Sequence, residues 1–177
     1  MCHSDDSRPP SACGAGSAAA TRDLTLTSAD GTSVLAFEAR AAEPTGAGIV
    51  VLPDVRGLHQ FYKDLAVRFA EVGVDAVAID YFGRTAKTPD RTDAFEFMPH
   101  VQQTTPGGVG ADVAAAVAQL RSDGATKVFT VGFCFGAATR GGSRRTRPDW
   151  PAASASTGAP SLRWRWRTAC KRRYSCS

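Results

Sequence analysis

Apolar residues between positions 24 and 136 fall into short runs and spaced stripes, which predict strands and helices in alternation. Two strand-like runs, residues 24–26 and 34–37, flank the dipeptide Asp30-Gly31, an arrangement typical of a β-hairpin. Continuous apolar runs suit strands that are buried on both faces of a sheet. Three such runs lie at residues 48–52, 76–79 and 127–131.

Two helices are predicted between the continuous runs. The first ends at Gly73, and its apolar stripe at helical spacing consists of Phe61, Leu65, Phe69 and Val72. The second begins near Val109 with Asp112 in its first turn, and its apolar face consists of Val113, Val117 and Leu120. Residues 81–108, with three prolines, are predicted as an irregular loop of a length that often carries function.

The order strand, helix, strand, helix, strand predicts the α/β class, with a mostly parallel sheet and helices on both of its faces. The chain is predicted to have three parts. Residues 1–22, rich in Ser, Ala, Gly and Pro, are expected to be a disordered arm. Residues 23–137 form a partial α/β domain. Residues 138–177, called the basic tail below, contain no Val, Ile, Phe or Met and are expected to have low order.

Charge separates the basic tail from the rest of the chain. The formal net charge of the 177 residues is +4. The basic tail carries ten Lys and Arg residues against Asp149 alone, which leaves the other residues at a net −5. The domain therefore does not have the basic character that nucleic-acid binding favours. Trp164 and Trp166 alternate with arginines, so the alternative interpretation is a non-catalytic fragment whose tail binds anionic partners such as nucleic acid.

Other sequence features indicate an ordinary cytoplasmic protein. No apolar run reaches the roughly 18 residues that a membrane helix needs, and residues 1–20 lack the apolar core of a signal peptide. Five cysteines without a spacing pattern argue against a disulfide framework. The N-terminal group of Cys2, His3, Asp5 and Asp6 is interpreted as solvated, so neither a metal site nor a cofactor is expected.

The strongest candidate for chemistry is the segment Gly132-Phe133-Cys134-Phe135-Gly136, which directly follows a predicted strand. This pattern is that of a nucleophile elbow with Cys in place of Ser. The sharp turn brings the residues on either side of the nucleophile together, so both Gly132 and Gly136 must lack bulk. A thiol at the N-terminal end of a helix also gains thiolate character. The N–H of Phe135 is then one candidate oxyanion donor. An inert core cysteine is the alternative reading of the five residues alone.

A second candidate segment, residues 52–57, leaves the first continuous strand. The loop after this strand supplies the second oxyanion N–H in α/β-hydrolases, and Val55 is the natural candidate here. Asp54 is a candidate for the acid that interacts with the thiol. Its alternative role is to cap the following helix.

Residues 24–137 resemble the N-terminal half of the dienelactone hydrolase family, α/β-hydrolases with a cysteine nucleophile. The resemblance is carried by VVLPDVRGLHQFYKDLAVRFAEVGVDAVAIDYFGRTA and KVFTVGFCFGA. It implies hydrolysis of a small ester or lactone by Cys134. The acid that interacts with this cysteine is usually Glu in the family, and Asp54 stands at that position. Arg84 and Arg91 lie in the region of the family's substrate-binding arginines, so they are candidates for that role and equally for ordinary surface residues.

The remaining members of a hydrolase triad are not found where the resemblance requires them. In this fold the acid and the histidine follow the nucleophile in the chain. The three histidines, His3, His59 and His100, all precede Cys134, and Asp149 is the one acid after it. We therefore expect weak or no turnover from this chain. The composition of the basic tail is typical of a GC-rich coding sequence read out of frame, so we hypothesise that the family-like sequence ends near Ala137.

Overall fold

The computed structural model describes residues 5–11, 16–86, 88–89 and 91–137. These ranges contain five strands, three α-helices and one short 3₁₀ helix, joined by loops. In chain order they are β1 (Ala18–Thr27), β2 (Ser33–Ala41), β3 (Ala47–Leu52), α1 (Gln60–Ala70), β4 (Val74–Asp80), the 3₁₀ helix (Tyr81–Arg84), α2 (Met98–Gln103), α3 (Pro106–Ser122) and β5 (Lys127–Gly132).

The five strands form one sheet in the order β1-β2-β4-β3-β5. Strand β3 pairs in parallel with β4 and with β5, whereas β2 is antiparallel to both of its neighbours. Four strands therefore run in one direction and β2 runs against them, which confirms the predicted α/β class. The predicted hairpin joins β1 to β2, with Thr27 opposite Ser33 and Gly31 at a φ of +81° in the turn.

Successive residues of the central strands point to opposite faces of the sheet, and each face is covered by a helix. Val50 belongs to the apolar cluster on the α3 side, together with Val113 and Leu120. Val51 belongs to the cluster on the α1 side, with Tyr62. All five side chains are at most 2% exposed. The prediction of strands buried on both faces, with helices above and below, is thus confirmed.

Strand β1 begins at Ala18, inside the segment that the sequence pattern assigned to a disordered arm. Ala18 lies opposite Ala41, and Arg22 lies opposite Glu38. Backbone pairing with β2 needs no apolar side chains, so the composition of residues 1–22 gave no sign of it. Residues 18–22 therefore belong to the sheet and not to an arm.

Helix α3 begins at Pro106, three residues before the predicted start. Thr105 caps it by accepting a hydrogen bond from Gly108 N at 3.1 Å, and proline is well suited to the first turn. Asp112 consequently lies beyond the first turn, and the prediction that placed it there is wrong. The region predicted as an irregular loop, residues 81–108, also contains α2 and the 3₁₀ helix.

Several sequence interpretations fall outside the described residues. They concern Cys2 and His3, and the basic tail with Asp149 and its tryptophans. Anion binding by that tail stays a prediction. Among the helices of the described ranges, none is long and apolar enough to cross a membrane.

Candidate active site

Cys134 lies at a sharp turn immediately after β5. Its φ is +49°, and among the described residues it is the one non-glycine with a positive φ. Helical residues 135–137 follow it at once. The turn is closed by hydrogen bonds from Gly136 N to Phe133 O (2.9 Å) and from Ala137 N to Cys134 O (3.1 Å). L-residues rarely adopt such a backbone, and when they do the position is often functional. The cysteine is unpaired and exposed.

The glycines on either side of Cys134 lie in close backbone contact. A Cβ built on Gly132 would lie 2.5 Å from Gly136 O. A Cβ built on Gly136 would overlap the carbonyl oxygens of Leu52 and Pro53. Both positions therefore require glycine for steric reasons. The second contact also shows that the elbow packs directly onto the end of β3.

The loop after β3 is folded back on itself by hydrogen bonds to Asp54. Arg56 N donates to Asp54 Oδ1 at 3.0 Å, and Gly57 N donates to Asp54 O at 3.1 Å. Phe133 N donates to Leu52 O at 3.1 Å, which joins the elbow to the strand that precedes this loop. The two segments singled out in the sequence, residues 52–57 and 132–136, are therefore neighbours in the fold.

Asp54 is buried, with 2% of its surface exposed. Its Oδ1 lies 3.5 Å from Nε of the buried Arg56, whereas its Oδ2 has no hydrogen-bond partner among the described residues. The hydroxyl of Tyr62 is also buried, and it lies beside Asp54. Burial and the nearby Asp54 carboxylate together raise the pKa of Tyr62. A buried carboxylate oxygen without a donor is expensive, so Oδ2 is suited to accept a proton or a hydrogen bond from a reacting group.

Two tyrosines hold the aromatic residues on either side of Cys134. The ring centroid of Phe133 lies 5.5 Å from that of Tyr62, and the centroid of Phe135 lies 5.7 Å from that of Tyr81. Both tyrosines are at most 1% exposed. Neither was singled out in the sequence, because a tyrosine after a strand or on an apolar helix face has no distinctive pattern.

Arg84, a candidate for substrate binding, is bound by carboxylates of the fold. Its Nε lies 2.9 Å from Asp112 Oδ2, and its Nη1 lies 2.7 Å from Asp30 Oδ2. These carboxylates raise its pKa, Asp112 most strongly. Asp112 is fully buried and also accepts a hydrogen bond from the Ser28 hydroxyl at 2.6 Å. Arg84 thus joins α3 to the β1–β2 turn, and substrate binding by it stays a prediction.

Arg91, the other candidate arginine, also has a structural partner. Its Nη2 lies 2.8 Å from Asp80 Oδ2, and both side chains are 1% exposed. Its guanidinium lies over the ring of Phe95, 4.4 Å from the centroid. Burial raises the pKa of Asp80 although Arg91 opposes this shift. Arg91 therefore holds the end of β4, and substrate binding by it likewise stays a prediction.

The two described histidines have partners of their own. His59 is the N-cap of α1: its Nδ1 accepts from Phe61 N at 3.1 Å, and its Nε2 lies 2.6 Å from Asp5 Oδ1. The Nδ1 of His100 lies 2.8 Å from Thr85 Oγ1, and its ring stacks on Phe95. Both rings serve local structure, so nothing in their contacts marks either as the general base.

Asp5, His59 and Asp93 bring three metal-binding side-chain atoms within 4.8 Å of one another. Because Nδ1 of His59 accepts a backbone N–H, the neutral ring carries its proton on Nε2. That proton points at Asp5, where a metal ion would need a lone pair. The Arg56 guanidinium also donates to Asp93 at 3.1 Å. In this cluster, Asp5 of the N-terminal segment therefore accepts a hydrogen bond from His59, the N-cap of α1.

Comparison with known proteins relates the chain to one family of hydrolases. The model of the dienelactone hydrolase family matches residues 37–147. The match runs ten residues beyond Ala137, where the sequence pattern placed the end of the family-like segment. No curated protein matches the chain.

Three solved structures illustrate the likeness. A dienelactone hydrolase-like promiscuous phosphotriesterase from metagenomic libraries is 26% identical, with a TM-score of 0.57, over 72% of this chain and 55% of its own. A protein of Klebsiella pneumoniae that has been assigned as a dienelactone hydrolase is 25% identical, with a TM-score of 0.55, over 67% of this chain and 51% of its own. A cold-adapted esterase from an Arctic intertidal metagenomic library shares the fold at 17% identity and a TM-score of 0.53, over 71% of this chain and 55% of its own.

The chain spans about half the length of these solved structures. The family match at residues 37–147 contains the central strands, the loop after β3 and the turn at Cys134. The family match covers well over half of the 177 residues and includes all of these elements. The chain therefore belongs to the dienelactone hydrolase family.

Proposed function

We propose that this chain carries the acylating part of a dienelactone hydrolase-like site, in which Cys134 attacks the carbonyl carbon of a small ester or lactone. The observation that carries the proposal is the positive φ of Cys134 at the end of β5, directly against the loop after β3. A positive φ at a non-glycine residue persists where the surrounding structure enforces it. The glycines at positions 132 and 136 provide that enforcement.

The first chemical step uses groups from the loop after β3 (residues 52–57) and from the turn at Cys134 (residues 132–136). The Cys134 thiol gives its proton to Asp54 Oδ2, and the sulfur forms a bond to the carbonyl carbon. The carbonyl oxygen becomes an oxyanion that accepts hydrogen bonds from the N–H groups of Val55 and Phe135, each worth about 3 kcal/mol. The C–O bond to the leaving group then breaks, and Asp54 returns the proton to the departing alkoxide. The product is a thioester on Cys134.

Hydrolysis of the thioester needs a base to activate water. The histidines of this sequence all precede Cys134, and the two described ones are engaged with Asp5 and Thr85. We propose that acylation is much faster than deacylation, so that the chain reacts once and then turns over slowly. Asp54 can accept the proton of the thiol, but water is a far weaker acid than a thiol, so without a histidine to activate the water the thioester is expected to persist.

Release of p-nitrophenolate from p-nitrophenyl acetate tests the proposal, with Cys134→Ala as the matched control because it keeps the other four cysteines. We expect the wild-type chain to release one equivalent of p-nitrophenolate per chain rapidly and further p-nitrophenolate slowly. We expect no rapid phase from Cys134→Ala. Equal rapid phases in both chains would contradict the assignment of Cys134. Sustained turnover at enzyme-like rates, lost in Cys134→Ala, would contradict the slow second step.

A further inference from the structure

The hydroxyl of Tyr81 is bound to the backbone of the loop after β3. It lies 2.5 Å from Pro53 O and 2.7 Å from Asp54 O, within hydrogen-bond distance of both carbonyls. Gly57 N donates to the same Asp54 oxygen at 3.1 Å. The Tyr81 side chain is 1% exposed, so solvent does not compete for its proton.

The carbonyl of Asp54 and the N–H of Val55 belong to one peptide group. That group is planar and trans, so its C=O and N–H point in opposite directions. A group that fixes the Asp54 carbonyl on one side therefore fixes the direction of the Val55 N–H on the other. A polarised carbonyl also makes the N–H of the same peptide a better donor.

We propose that Tyr81 is a positioning residue, whose hydroxyl holds the Asp54–Val55 peptide so that the Val55 N–H points at the developing oxyanion. This inference rests on the proposed function, because the Tyr81 hydroxyl has a positioning role in the reaction only if the Val55 N–H is an oxyanion donor. A hydroxyl that served folding alone would hold the loop without acting on one step of the reaction.

The support around Tyr81 suits this task. Asp80, the residue before Tyr81, accepts a hydrogen bond from Phe82 N at 3.1 Å and forms an ion pair with Arg91. These two contacts fix the turn after β4 and so the position of the Tyr81 ring. The ring packs on Phe135, the residue proposed to supply the other oxyanion N–H. Burial, with the Asp54 carboxylate, raises the pKa of Tyr81, so the hydroxyl remains a donor throughout the neutral range. One side chain thus contacts both proposed donor segments.

Two reactions of the same thiol separate positioning from folding. Acylation by p-nitrophenyl acetate passes through an oxyanion, whereas alkylation by iodoacetamide is a displacement at carbon that forms none. We expect Tyr81→Phe to slow the acylation of Cys134 by about tenfold, less than the loss of a whole oxyanion donor, because Gly57 still holds the Asp54 carbonyl. Its alkylation rate, followed on the Cys134 peptide by mass spectrometry, should stay within about twofold of the wild-type rate.

Tyr62→Phe is the matched control. Tyr62 is equally buried and packs on Phe133, and its hydroxyl lies beside Asp54 but is not bonded to the Pro53 and Asp54 carbonyls that Tyr81 contacts. Any effect of Tyr62 on proton transfer from the thiol to Asp54 enters acylation and alkylation alike. We expect the ratio of acylation to alkylation to be unchanged in this variant. An unchanged ratio in Tyr81→Phe, or an equal fall in both variants, would overturn the inference. Absence of a rapid acylation phase in the wild-type chain would overturn the proposed function, and the inference with it.

A second measurement applies if Tyr81→Phe does not give the wild-type circular dichroism spectrum. The Tyr62→Phe chain is then produced with 3-fluorotyrosine, which leaves Tyr81 as the one labelled tyrosine of the described ranges and makes its phenol a stronger donor. The inference expects the ratio of acylation to alkylation to rise in this chain. A ratio equal to that of unlabelled Tyr62→Phe would overturn it.

Discussion

The backbone N–H of Phe133 donates to the carbonyl of Leu52 across 3.1 Å, one step beyond the last paired residues of β3 and β5. The two loops that carry the candidate chemistry leave the carboxyl ends of these adjacent parallel strands. In α/β sheets this edge is where ligands bind. The hydrogen bond therefore sets the distance between the thiol-bearing turn and the loop that carries Asp54 and Val55.

Gly136→Ala tests the close contact between these two segments. The new Cβ would overlap the carbonyl oxygens of Leu52 and Pro53, so we expect a loss of at least about 2 kcal/mol in the free energy of unfolding. Urea denaturation followed by circular dichroism measures it. Gly107→Ala is the control, because a Cβ there meets nothing within 4 Å and should leave stability equal or slightly raised. Equal stability of Gly136→Ala and wild type would contradict the packing described for the elbow.

Asp112→Asn tests whether Arg84 serves the fold. Removing the buried carboxylate leaves the Arg84 guanidinium with Asp30 as its remaining ion-pair partner, and we expect a loss of about 2 to 4 kcal/mol in stability. Arg84→Met should cost a similar amount, and the double variant should cost clearly less than the sum. Urea denaturation of the wild type, the two single variants and the double variant measures the coupling energy between Arg84 and Asp112. Additive losses would show that the pair is not coupled, and a stable Arg84→Met chain with altered acylation would favour substrate binding instead.

The contact between Arg84 and Asp30 predicts a pH dependence. Arg84 lowers the pKa of Asp30 below its usual value of 3.8. A carboxyl whose pKa is lowered on folding stabilises the fold above its unfolded pKa and loses this contribution as the pH falls below it. Asp30→Asn keeps an oxygen for the hydrogen bond from Thr32 N. We expect the wild-type chain to melt at a higher temperature than this variant at pH 6, and the difference to shrink as the pH falls from 4 to 3. A constant difference across that range would exclude the ion pair as its source.

The central architecture was predictable because each of its signals is local. The runs at residues 48–52, 76–79 and 127–131 are continuous because both faces of those strands are buried. Asp30-Gly31 marked the hairpin, and the spacing of Gly132 and Gly136 marked the turn at Cys134. These features depend on residues within a few positions of one another, so a single sequence shows them.

Other features depend on contacts between distant segments, and the sequence pattern missed or misplaced them. Asp112 was assigned to a first helical turn, but its surroundings are Arg84 and Ser28, far away in the chain. The hydroxyl of Tyr81 reaches the carbonyl of Asp54 across 27 positions. The start of β1 depends on backbone pairing, and α2 is short and has no buried residue. None of these has a periodicity that a reader of the sequence could detect.

Whether the fold makes Cys134 the nucleophile is tested by the acetylation rate of each cysteine under brief exposure to p-nitrophenyl acetate. Mass spectrometry resolves Cys134 from Cys2, Cys13, Cys170 and Cys176. In the native chain we expect Cys134 to be acetylated well before the other four, and in urea we expect all five to react at similar rates. A native Cys134 that reacts no faster than it does in urea would show that the fold does not activate this thiol.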